Sequence, residues 1–129
     1  MAFVLSASLL SAQEASSKVK QVYSEAQLAA MTSEQLQWNN FLAEELAVIQ
    51  LAPEKASGLT DLATVGRKDG QPVDPAAVTI ADFNPLMYNF STDLPQNAYY
   101  RVGDTGLVIV VYSHARLEQL YTRYKANSK

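Results

Sequence analysis

His114 is the only histidine in the chain, and it directly follows Ser113. An imidazole beside a carboxylate can act as a general base, and a nearby hydroxyl could then serve as nucleophile. Adjacency alone does not make such a dyad, because consecutive residues at a helix start point in different directions. His114 is therefore read first as a surface residue of a first helical turn, and second as the base of a small hydrolase. One histidine and no cysteine leave only carboxylates to complete a metal site, so no metal or cofactor is expected. Paired acids could run glycoside hydrolysis, but Glu44 and Glu45 are neighbours on a helix and diverge by about 100 degrees. Asp93 and Asp104 sit in turn-rich stretches, where Asp commonly bonds its own backbone. The triplet Asp104-Thr-Gly106 occurs in aspartic-protease loops, yet it equally suits a plain hairpin turn. No catalytic residue is assigned.

Binding is better served. Six of the seven tyrosines fall in the last third of the chain: Tyr88, Tyr99, Tyr100, Tyr112, Tyr121 and Tyr124. In a strand, adjacent Tyr99 and Tyr100 must face opposite sides of the sheet. An exposed tyrosine beside Arg101 makes a serviceable protein or glycan contact. Tyr99, Tyr100 and Arg101 are accordingly the candidate binding residues.

These side chains have to be held by a scaffold of 129 residues, which is one domain's length. Such a chain buries roughly two thirds of its unfolded surface without metals or disulfides. Its 48% hydrophobic and 18% charged residues belong to a globular protein rather than a disordered one. Charge is uneven: up to Asn97 there are five Lys and Arg against eleven Asp and Glu, and from Ala98 onward five against two. The basic excess falls mostly late in a predicted C-terminal helix, where cations complement the helix dipole. Nucleic acid is therefore not an expected partner.

Residues Ala2 to Leu10 are apolar, too short a run to span a bilayer, and are followed by small residues and then Gln13-Glu-Ala-Ser-Ser-Lys18. That order resembles the apolar and cleavage regions of a secretory signal peptide, although no Lys or Arg precedes it. Residues 1–12 are read as a candidate signal-peptide remnant and residues 13–129 as a single domain. Helical pattern covers Gln13 to Met31, with a restart at the capping box Ser24-Glu-Ala-Gln27. A second capping box, Thr32-Ser-Glu-Gln35, opens the clearest helix. Its apolar positions Leu36, Trp38, Phe41, Leu42, Leu46, Val48 and Ile49 recur to the stop at Ala52-Pro53. Glycine and proline punctuate Glu54 to Ala76 as a connection, in which Leu59, Leu62 and Val65 form a helical turn or short strand. Strands are predicted at Val78–Ile80, Leu86–Phe90, Ala98–Val102 and Leu107–Tyr112. The last two are joined through Gly103-Asp-Thr-Gly106 as a hairpin. Leu107–Tyr112 is apolar on both pleat faces, which marks a central strand. Ser113 caps a final helix that turns Leu117, Leu120, Tyr121 and Tyr124 inward.

Three pieces resemble short exported proteins of Bacteroidetes: Leu9-Leu-Ser-Ala-Gln13, Tyr23-Ser-Glu-Ala-Gln-Leu-Ala-Ala-Met31 to Glu34, and Phe83-Asn-Pro-Leu-Met-Tyr-Asn89 followed by Tyr99-Tyr-Arg-Val-Gly-Asp-Thr-Gly106. The likeness spans most of the chain. It implies export and brings no chemistry with it.

The expected fold is α+β: N-terminal helices, a small antiparallel sheet with a hairpin, and a C-terminal helix packed on the sheet. Trp38, Leu42, Leu46, Ile49, Val108, Val110, Leu117 and Leu120 form its expected core. The expected function is non-catalytic binding of another protein or a cell-envelope component, outside the cytoplasm, with no transmembrane span. Two other classes remain, a small hydrolase built on His114 and a structural subunit of an oligomer. A cytoplasmic location goes with the alternative that residues 1–12 belong to the fold.

Overall fold

The structure, a computed structural model, describes residues 14–51 and 59–127. The apolar run at residues 2–10 and the Ala52-Pro53 stop lie outside those residues. The chain is α+β, as its patterning requires. Helices α1 (Ser17–Val22), α2 (Glu25–Ala29) and α3 (Ser33–Glu45) precede strand β1 (Ala47–Leu51). Strand β2 (Thr60–Asp61), helix α4 (Leu62–Val65), strands β3 (Ala98–Arg101) and β4 (Leu107–Val111), and helix α5 (His114–Asn127) follow.

Short polar side chains start the helices. Ser24 and Thr32 each accept a backbone N–H at 3.1 Å, while Gln27 and Gln35 reach back to the cap N–H at 2.8 Å. Both predicted capping boxes are therefore formed, and each supplies two partners for helix-end donors that would otherwise have none. Ser113 opens α5 by accepting from the Arg116 N–H at 3.2 Å. The sequence pattern predicts one helix with a restart; instead Tyr23 takes an extended conformation and divides two short helices.

The sheet runs in the order β1-β4-β3-β2. The β3–β4 hairpin forms in register, with Ala98 opposite Val111 and Arg101 opposite Val108. Its turn places Gly103 and Gly106 at φ of 51° and 81°. The sheet is mixed rather than wholly antiparallel, because Thr60–Asp61 pairs parallel to Tyr100–Arg101. That short ladder is pinned by an ion pair: Arg101 Nη1 lies 2.8 Å from Asp61 Oδ2, and Arg101 Nε donates to the Leu59 carbonyl at 3.1 Å.

The largest departure from the sequence pattern is β1. Residues 47–49 continue the three- and four-residue apolar spacing of α3, yet the helix stops at Glu45 and Ala47–Leu51 becomes the fourth strand. Alternation places Ala47 and Ile49 on the core side of a strand just as helical spacing would on a helix. Pairing with β4, from Ala47 opposite Val111 to Leu51 opposite Leu107, decides between the two readings. Neither other predicted strand forms. Val78 ends a 3-10 turn at Pro75–Ala77, and Pro85–Met87 is a second such turn capped by the Asn84 side chain. Proline at the first position of each turn fixes φ and removes the donor a strand ladder would need.

One face of the sheet carries the main core. Phe41, Leu42 and Leu46 from α3, Val19 from α1, Leu62, Leu86, Ile109, Val111 and Leu117 are buried together. Phe41, fully buried, meets the rings of Trp38, Tyr121 and Tyr124 with centroids 4.9–5.4 Å apart, which docks α5 on α3. Trp38, Ile49 and Leu120 are half-buried at the margin of this cluster. Val108 and Val110 are buried too, but on the opposite pleat face, outside the cluster.

Gly103 tests the hairpin directly. Its φ of +51° disfavours any side chain, and an added Cβ would sit 2.8 Å from Pro75 Cγ. We expect Gly103→Ala to destabilise the fold by about 1–3 kcal/mol. Urea unfolding should show a lower midpoint at unchanged m-value; an unchanged midpoint would contradict this turn geometry.

Candidate sheet-edge binding site

The three residues singled out for binding are held apart. Tyr99 is half exposed and stands on the sheet face away from the main core, opposite Val110. Tyr100 points to the core face, its ring 5.9 Å from that of Phe90. Arg101 shares the face of Tyr99, but its guanidinium is taken up by Asp61, the Leu59 carbonyl and the Gly103 carbonyl at 3.4 Å. Of the three, only Tyr99 is offered to a partner, and Arg101 is a fastener for β2.

The residues considered for catalysis are similarly occupied. His114 begins α5 with half its side chain exposed, its Nε2 3.2 Å from Glu118 Oε2 and its Nδ1 3.8 Å from Asp93 Oδ1. Its backbone N–H donates to the Leu94 carbonyl, tying the loop before β3 to the helix start. The Ser113 hydroxyl caps the helix and makes no hydrogen bond to the imidazole. No group of three or more His, Asp or Glu among the described residues is placed to hold a metal ion.

What sequence reading missed lies at β1. Tyr112 donates its backbone N–H to the Leu46 carbonyl at 3.1 Å, which fixes the phase of the β1–β4 ladder. In an antiparallel pair the backbone groups of alternate residues point to opposite sides. Val48 and Gln50 therefore turn their N–H and C=O groups toward β4, while Ile49 and Leu51 turn theirs outward. Among the described residues no strand takes that outer side. Edge strands are commonly blunted by Lys, Pro or a bulge. The sequence Ala47-Val-Ile-Gln-Leu51 carries none of these and no charge at all.

Beside this edge runs a groove of about 290 Å³, walled by Ala43, Val48, Ile49, Ile80, Phe83 and Pro85. Lys18 and Glu44 close one rim, 4.0 Å apart. Among the described residues, Leu51, Ile80 and Tyr99 are the most exposed large apolar side chains, at 73%, 58% and 50%. Leu51 and Ile80 belong to this edge and groove; Tyr99 lies on the same sheet, two strands in. The Phe83–Pro85 wall of the groove is held against α1 by Asn84, whose Nδ2 donates to the Lys18 carbonyl and to Gln21 Oε1, both at 2.9 Å. Free edge amides with apolar pockets alongside are the parts used when a sheet accepts an added strand.

Two further features surround the middle segment. Arg67 grips Asp69 through Nε–Oδ1 at 3.0 Å and Nη2–Oδ2 at 2.6 Å. This pairing holds the Asp69 carboxyl below its ordinary range. Burial raises the Tyr88 phenol above its usual value, so it stays neutral. No helix among the described residues is long and apolar enough to cross a membrane. Comparison of the chain with protein-family models, curated proteins and solved structures gave no match.

The two tyrosines of β3 separate surface from core. We expect Tyr99→Ala to change stability by less than about 0.5 kcal/mol, and Tyr100→Ala to cost about 2–4 kcal/mol through lost packing. Equal losses by chemical denaturation would contradict the face assignment.

Proposed function

We propose that this protein is a non-catalytic binding domain that captures an extended, apolar segment of another protein by strand addition along the outer edge of β1. The uncharged edge at Ile49 and Leu51, which no strand among the described residues pairs, carries this reading. The groove lined by Ile80 and Phe83 takes the added segment's inward side chains, and exposed Leu51 packs against them. Support also comes from the other side chains considered, since Arg101, Ser113 and His114 each have a structural job in the fold.

Magnitudes set what such a site binds. About four edge hydrogen bonds at roughly 1 kcal/mol net, with two covered aliphatic side chains at about 1.5–3 kcal/mol each, only just exceed the cost of association. A short peptide alone binds weakly. A folded partner that presents its own strand and also covers Tyr99 gains the remainder.

The test is an NMR titration of the full chain with a synthetic Thr-Val-Thr-Ile-Thr-Val peptide to millimolar concentration. Shifts should centre on the Ile49 and Leu51 amides and disappear when the peptide's alternate amides on its docking edge are N-methylated. Leu51→Pro, which removes one outward N–H and leaves the β4 ladder intact, should weaken binding at least about tenfold, a 1.4 kcal/mol effect. Shifts confined to other surfaces would sink the reading.

The apolar run Ala2–Leu10 and the small residues after it support export, which we include in the proposal as a periplasmic or secreted location. Intact mass of the protein from its native host should give a chain beginning at Gln13 in a non-cytoplasmic fraction. A full-length cytoplasmic chain would refute this part and leave the edge site to an intracellular partner.

A further inference from the structure

Strand β1 ends in Ile49-Gln-Leu51, and this triplet is complementary to itself. Ile49 and Leu51 direct their backbone groups away from β4, and their side chains share the core face with Ile109 and Leu107. Gln50 has the opposite phase: its backbone pairs with β4, and its side chain stands exposed on the other face. That side chain makes no hydrogen bond among the described residues. Now lay the triplet antiparallel on a second copy, with a two-fold axis through Gln50. Ile49 of each copy comes directly opposite Leu51 of the other, in hydrogen-bonded pairs that take up the outward N–H and C=O of both residues. Gln50 meets its own symmetry mate in the close, non-hydrogen-bonded pair between them. A charged residue there would face its own charge, which opposes pairing. A primary amide presents both donors and an acceptor, so it can bond its own copy.

We infer that the strand added to this edge is β1 of a second copy, in an antiparallel two-fold dimer through Ile49, Gln50 and Leu51. The inference rests on the reading of the β1 edge as a strand-addition site, and it names the partner. Leu51, 73% exposed, is laid over Ile49 of the other copy, at the groove wall shared with Ile80 and Phe83. A free peptide fills one such groove; a second copy fills two, because an isologous contact is made twice. Ala47 is almost fully buried, which confines the ladder to the open end of the strand. So short a contact belongs to the weak class, with a dissociation constant on the order of 100 μM. The assembly also closes at two copies. The opposite sheet margin is β2, two residues long with the Asp61–Arg101 ion pair beside it, and it offers no second edge of this kind.

Sedimentation equilibrium of the full chain, from about 10 μM to about 1 mM, tests this. A monomer–dimer equilibrium with no larger species is expected. Gln50→Glu and Gln50→Lys change an exposed side chain and set like charges opposite each other, so each should weaken the dimer about tenfold. An equimolar mixture of the two variants should recover it, because the opposed charges then attract. Leu51→Glu, which removes the apolar contact, must also weaken the dimer. Four results would overturn the inference: a monomer throughout that range, a dimer indifferent to these changes, a mixture no stronger than either variant alone, or growth beyond two copies. If the native chain stays monomeric while the Thr-Val-Thr-Ile-Thr-Val peptide still shifts the Ile49 and Leu51 amides, the edge takes a foreign strand and only the self-pairing falls. If neither is seen, both readings fall.

Discussion

Strand β4 has to be buried on both of its faces, and most of this molecule can be understood as the means of achieving it. Leu107, Ile109 and Val111 turn toward the helices, while Val108 and Val110 turn the other way and are just as deeply buried. A strand with no polar face can survive only in the middle of a sheet, with a partner on each side to take its backbone groups. The β3 hairpin arm arrives from the adjacent sequence. The other neighbour has to come from elsewhere, and Ala47–Leu51 is drawn out of the helical pattern of α3 to provide it. What the central strand gains, the sheet concedes at its margins, because two new edges are created.

The two edges are treated differently. At β2 the strand is only two residues long, and the Asp61–Arg101 ion pair puts charge beside it, both of which discourage further pairing. At β1 there is no such device, and Leu51 stands exposed at the end of an uncharged run. An unprotected edge is an aggregation hazard, so its retention calls for a compensating use. The fold also invests in the ground beside it. Asn84, almost fully buried, satisfies the Lys18 carbonyl, Gln21 and the Leu86 N–H at once, which holds the Phe83–Pro85 wall of the groove against α1.

Asparagine plays this part repeatedly. Asn40 bonds both the Glu14 carbonyl and the Ser16 N–H, Asn89 reaches the Val65 and Arg67 carbonyls, and Asn97 accepts the Ser113 N–H ahead of α5. Each supplies an amide where the backbone is irregular and no ladder exists to satisfy it. None of these contacts has a local signature, since their partners lie up to 66 residues away. Local signals were legible wherever the physics is local. The Ser24 and Thr32 capping boxes, the Ser113 cap and the Gly103–Gly106 turn all depend on a few adjacent residues, and all are formed. Apolar β4 was legible as central because its composition states its burial directly.

The same distinction explains why the candidate site was hidden. Sequence reading for function looks for side chains that carry chemistry, and it therefore came to rest on His114, Tyr99, Tyr100 and Arg101. Once folded, Arg101 closes an edge and Tyr100 packs, as alternation along a strand made certain for one of the two tyrosines. In the proposed reading the edge at β1 recognises a partner through main-chain N–H and C=O groups, which every residue possesses and which no composition distinguishes. They become a site only because β4 takes one side of the strand and nothing among the described residues takes the other. Val48 and Ile49 supported two readings, helix and strand, and the site exists only in the second. A binding surface of this kind is a property of pairing topology, so it becomes visible only when the non-local ladder that sets the strand register is known.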